Sequence, residues 1–483
     1  MLIERGADVT AQNNDGWTPL HLALEDGEAE VARMLIEHGA DLAAHNLHGE
    51  TPLHMASRRA LADVARLLIE RGRAGVTFQN NDGRPLSQKE VGVTRMLIER
   101  GADVTVPDNE GWTPLHVASH NGKAKVVRML IERGADLTAQ DNDGLTSLHL
   151  ASQMGQVDAA RVLTERGADL TAQDNNGCTP LHLASCLRQV DVACMLVERG
   201  ASLTAQDNYG NIPLHLAAVE GKADVARMLI ERGTNLTVRN IDGNIPLHLA
   251  VAEGKVDVAR MLIERGTDMI AQNKDGDTPL HLAVGMGEVD VTRMLIDLGA
   301  DLTAKNNYGS TPLHLALHVK RLEVARILIE HGADLTAQNK YGGTPLHLAL
   351  QKGEIDIARK LIERGADLTA QNRNAWTPLH LASQRGQVDI ARMLIEHGAD
   401  VTAQNRDGQT PLHLASAPSS RARITPQNYA EVVHMLLEHG ADINSRNKNG
   451  FTPFVLASKR GLAEVIHVLV QHGADSGAHD NAI

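Results

Sequence analysis

Aromatic side chains are almost absent: the 483 residues include only three Trp, four Tyr and three Phe. Such rings bury ~150–250 Å² each and dominate large cores, so a single conventional core of this length is disfavoured. Cysteine is equally scarce. Cys178, Cys186 and Cys194 lie eight residues apart in one stretch. They form neither a disulfide framework nor the close C-x-x-C type of spacing of a zinc site, and a reducing compartment is expected. No apolar run nears the ~18 residues of a membrane span. Residues 1–6 show no basic region followed by a long apolar segment, so no secretory signal is expected. An intracellular, cytoplasmic location follows as the expectation, with the nucleus open. Missing too are a phosphate-binding glycine loop, H-E-x-x-H and G-x-S-x-G. The net charge of −13 is spread along the chain, and Arg421/Arg423 is the one notable basic pair. Nucleic acid is therefore not an expected partner.

What is present is repetition. A T-P-L-H-like tetrad starts at Thr18, Thr51, Thr113, Thr146, Thr179, Ile212, Ile245, Thr278, Thr311, Thr344, Thr377, Thr410 and Thr452, and from Thr113 to Thr410 every step is 33 residues. A fixed period of this size marks a stacked repeat architecture. Residues 275–307 serve as the pattern. Asp275-Gly276 signals a turn. Thr278-Pro279 opens a helix, because the hydroxyl can accept from a first-turn amide and proline suits the first helical position. Leu280 and Ala283 share a face, and Gly287 ends the helix. A second helix starts near Asp290 with Val291 and Leu295 on one side, and Gly299 stops it. Residues 300–307 run extended to the next turn. Ile212 and Ile245 forgo the capping hydroxyl, and Ala375 stands in a turn slot that is Gly in every other unit.

Period, tetrad, both glycines and the G-A-D sequence together resemble the ankyrin repeat over essentially the whole chain. The resemblance implies a mainly α solenoid of helix–turn–helix layers with projecting β-hairpin fingers. It also implies a concave groove, lined by fingers and first helices, that binds other proteins. The tetrad histidine would then hydrogen-bond the finger backbone between layers.

The chain reads as one array. Residues 1–14 are a partial repeat, 15–81 two repeats, and 82–109 a degenerate repeat that has lost the capping Thr and the His. Nine regular repeats fill 110–406. Unit 407–448 carries an inserted loop within 417–426, and 449–483 is the terminal repeat.

Of 24 histidines, twelve recur in the tetrad. One per layer supplies neither the orienting partner of a catalytic base nor a converging ligand set. His45 and His48 beside Glu50 read as a surface pair. No cofactor, metal or enzymatic activity is expected.

Differences among units are the remaining signal. Seven aromatics fall at the finger turn: Trp17, Trp112, Trp376 and Phe451 follow the glycine slot, and Tyr209, Tyr308 and Tyr341 precede it. Exposed aromatics anchor interfaces; packing between neighbouring fingers is the competing reading. Near the end of the first helix, units at the ends of the array carry charge, as at Asp26, Arg59, Lys352 and Arg385. Met154, Leu187, Val219, Ala252, Met286 and Val319 replace it in between. An apolar stripe rimmed by charge suits a protein partner, with filling between layers as the alternative. The expected function is a non-enzymatic protein-binding scaffold or adaptor, monomeric unless the open N-terminal layer pairs. A sensor or regulatory array from a larger signalling receptor is the second reading.

Overall fold

In the computed structural model, residues 5–47, 50–59, 61–71, 104, 105, 107, 110–417 and 425–475 are described, with backbone only at 57, 58 and 62. Most of the degenerate unit 82–109, residues 418–424 of the inserted loop, and His48 lie outside them. The chain forms two compact units, Met1–Ile241 and Asp242–Ile483. The described residues hold 26 helices, paired in layers.

The layer at 275–307 shows why the repeat folds. Helix Pro279–Met286 is capped by Thr278, whose Oγ1 accepts from His281 N at 3.4 Å. Gly287 closes it in the left-handed region at φ 86°. The second helix, Val289–Asp297, turns Val291, Thr292, Met294 and Leu295 inward. Leu280, Ala283, Val284, Val291 and Leu295 are at most 1% exposed. At about 25 cal/mol per Å² of apolar surface, each large aliphatic here contributes roughly 1.5–3 kcal/mol. Copies of both helices must lie alongside for that burial, so a layer is stable only in a stack.

The connection between layers is built on a tight turn. Among the described residues there is no β-strand. Asn306 N–H donates to the Ser310 carbonyl and Gly309 N–H to the Asn306 carbonyl. The Asn306 side chain then accepts from the backbone N–H of Tyr308 and Ser310. A side-chain carbonyl thus saturates the donors that a strand ladder would use. Successive turns share one backbone bond, such as Asn307 N–H to the Asp275 carbonyl at 2.9 Å. Glycine is favoured beside it, since a Cβ on Gly276 would stand 2.6 Å from Asn307 N.

Three other positions add to the sequence reading. Ile212 and Ile245 sit in the cap slot wholly buried, so apolar burial offsets the missing hydroxyl. Pro426, read as part of the loop, instead occupies the first turn of an extended second helix, Pro426–Glu438. Its missing N–H has no helical partner to lose there.

Candidate functional site

The tetrad histidines are structural. Thr278 N–H donates to His281 Nδ1 at 3.3 Å, so that nitrogen carries the lone pair and the ring proton sits on Nε2. Nε2 donates to the Ser310 carbonyl, 29 residues on, at 3.0 Å. The same bond recurs from His149 to Cys178 O, His314 to Gly343 O, His347 to Trp376 O and His380 to Gln409 O. Burial lowers these imidazoles below the ordinary histidine range, His314 and His380 to about 4. A neutral ring tied on both nitrogens is a tie bar between layers, with no proton to offer a substrate.

The cysteine thiols are held in their protonated form. Burial is the largest cause of their raised thiol pKa values, and Cys178 is pushed up to about 12. Among the described residues no group of three or more His, Cys, Asp or Glu is arranged to hold a metal ion.

The structure instead shows a hollow in the Asp242–Ile483 unit, about 770 Å³ in volume. Its floor carries Leu315, Leu348 and Leu381, the residues that follow the tetrad histidines, and its rim carries Tyr308 and Tyr341. The tyrosines are 56% and 64% exposed. Their backbones are fixed, since Lys340 N–H donates to the Tyr308 carbonyl and Arg373 N–H to the Tyr341 carbonyl, both at 2.9 Å. The hollow carries opposite charges at its two ends. Asp275 and Asp277 line it at the earliest of four turns and Arg373 at the last, where the guanidinium lies 6.0 Å from the Tyr341 ring centroid.

The remaining sequence candidates fall in several environments. Met286 and Val319 are exposed, at 53% and 39%, but lie outside the lining; the slot just before Val319 supplies His318, and Gln351 is its counterpart one layer on. Trp376 is half-buried against His380, with ring centroids 6.1 Å apart. In the Met1–Ile241 unit, Trp112 is half-buried against His120 at 5.1 Å and Val219 is half-buried, while Met154, Leu187 and Tyr209 are exposed. The tryptophans therefore pack on their own layers, and the tyrosines project.

A family model for ankyrin repeats, built on three copies, matches residues 1–81, 87–174, 138–207, 171–240, 214–306, 247–339, 304–372, 369–447 and 407–480. The chain belongs to the ankyrin-repeat family. Residues 82–86, inside the degenerate unit, are the one internal gap in the match. A comparison with curated proteins found no match. Ankyrin repeats are in general protein–protein interaction modules and typically non-enzymatic. Among the described residues no helix of the array is long and apolar enough to cross a membrane.

Proposed function

We propose that this ankyrin array is a non-catalytic scaffold that holds a segment of a partner protein in the hollow of its Asp242–Ile483 unit. The observation that carries this reading is the pair of projecting tyrosines, fixed in register one layer apart above a leucine floor. A tyrosine offers a large apolar face and a hydroxyl at low entropic cost, which makes it an efficient interface anchor. The carboxylates of Asp275 and Asp277 and the Arg373 guanidinium give the bound segment a direction. Met286 and Val319 extend the contact toward the helix ends; Met154, Leu187, Val219 and Tyr209 are the corresponding surface in the other unit. Trp112 and Trp376 support the turns from within their layers.

The test is photo-crosslinking from position 341, with position 359 on a second helix as control, followed by capture with the Tyr308→Ala/Tyr341→Ala variant. Both side chains are exposed, so the fold should survive. The expected result is partner crosslinks from 341 alone and capture reduced at least about tenfold, since two anchors at ~1–2 kcal/mol each are removed. A parallel Met286→Glu/Val319→Lys variant reads whether contact reaches the helix ends. Unchanged capture by the folded tyrosine variant would place the binding surface elsewhere.

A further inference from the structure

The last two layers bring two histidine nitrogens face to face. His434 lies on helix Pro426–Glu438, and His472 caps helix Ala463–Gln471. His434 Nδ1 stands 3.3 Å from His472 Nε2. The far nitrogen of each ring is already occupied. His472 Nδ1 donates to the Val468 carbonyl at 2.9 Å. His434 Nε2 lies 3.3 Å from the Glu438 carboxylate, which can only accept. With both protons placed outward, two lone pairs point at each other, an arrangement that repels unless a cation stands between them.

We propose that His434 and His472 are a two-nitrogen zinc site that clips the last two layers together. The spacing fits zinc. Two Zn–N bonds of about 2.0–2.1 Å at the tetrahedral angle separate the nitrogens by about 3.3 Å, whereas a square-planar pair would bring them to about 2.9 Å. The outer partners also fit, since zinc-bound imidazoles typically donate their other N–H to a carboxylate or a backbone carbonyl. Both side chains are on the solvent face, so water completes the coordination. This agrees with the absence of any larger ligand group among the described residues. Neighbouring groups are engaged elsewhere: Glu431 pairs with Arg392 at 2.8 Å, His439 Nδ1 donates to the Met435 carbonyl, and His467 Nε2 accepts from Gln471.

Internal comparison shows how the pair arises. The His434 slot is Arg in eleven of the fourteen repeats. His331 and His397 occupy the His472 slot, but the residues 38 positions earlier are Arg293 and Arg359, cations that cannot ligate. Only at 434 and 472 does the sequence place histidine in both slots.

The experiment is a zinc titration of the full chain at pH 8 after chelator treatment, read by calorimetry and, with Co²⁺ as a substitute, by the visible absorption of four-coordinate cobalt. His434→Arg and His472→Arg install a residue that other repeats already carry at those slots, so the fold is retained; circular dichroism checks this. Wild type should show one zinc site that each Arg variant lacks, and Glu438→Gln should weaken it about tenfold. His439→Ala and His467→Ala should leave it intact. If both folded Arg variants bind zinc as wild type does, or wild type binds none, the pair merely shares a proton and the proposal fails. This outcome is independent of partner capture in the hollow.

Discussion

A single backbone angle separates Ala375 from its equivalents. It holds φ 57°, beside Gly276, Gly309, Gly342 and Gly408 at 67–76°. An L-residue in this region places Cβ against the carbonyl, at a cost of about 1–2 kcal/mol that glycine avoids. Ala375→Gly should therefore raise the local opening free energy of its layer by about 1 kcal/mol, measured by native-state hydrogen exchange at residues 372–383. A decrease would mean that glycine's greater unfolded-state entropy outweighs the relieved strain. Arg188 and Lys320 hold positive φ in the inter-helix turn, where Lys320 gains an ion pair with Glu354 at 2.9 Å. Whether a ring is buried or exposed also turns on one residue. The tryptophans after the glycine slot fold back on histidines of their own layers, and the tyrosines before it face outward.

Between neighbouring helices, two kinds of bond hold the layers, and their environments rank them. On the second helices an ion-pair ladder runs from Arg166 to Glu132, Arg199 to Glu165 and Arg232 to Glu198 at 2.8–3.0 Å. All are substantially exposed, so water and salt screen them and each is worth under about 1 kcal/mol. On the first helices the histidine bonds are buried. Removing one strands a buried amide, at a cost of about 1–3 kcal/mol; at His314 the carbonyl keeps its turn bond from Asn339 N–H. His314→Leu should accordingly destabilise its layer by about 1–3 kcal/mol, independent of salt. Glu165→Gln should cost under about 1 kcal/mol, a difference that disappears in high salt. Hydrogen exchange in the two layers at low and high ionic strength compares them; equal costs would overturn the ranking.

Across the whole molecule the repeated histidine makes a pH sensor of stability. Burial lowers the folded-state pKa of His21, His149, His182, His281, His314, His347, His380 and His413. The unfolded chain takes up these protons near pH 6.5 while the folded chain resists until about 4 at His314 and His380. More protons on the unfolded state mean that stability falls as pH falls through this window, by up to ~1.4 kcal/mol per unit for each histidine before solvent screening. Lowered carboxylates such as Asp169 and Asp301, which accept from Thr171 and Thr303, add their loss only below the ordinary Asp range. Urea midpoints should be flat above pH 7 and drop steeply between 6.5 and 4; equal midpoints at pH 7.5 and 4.5 would contradict the histidine assignment. The layers, their caps and their turn glycines were all legible in the sequence, because hydrophobic period, capping chemistry and positive φ are local demands repeated every 33 residues. The exposure of Met286 and the tyrosines was decided only by the structure, because packing between fingers and filling between layers fit the same pattern. The leucine floor of the hollow was not legible, because leucine follows eleven of the thirteen tetrads and offers no contrast between units. Strand-like fingers were expected from the resemblance; among the described residues there is no β-strand, and Asn or Asp side chains such as Asn306 and Asp207 accept from the turn backbone. The meeting of His434 and His472 required tertiary structure as well. Nothing local joins residues 38 apart, and only the stacking of one second helix on the next sets their nitrogens 3.3 Å from each other.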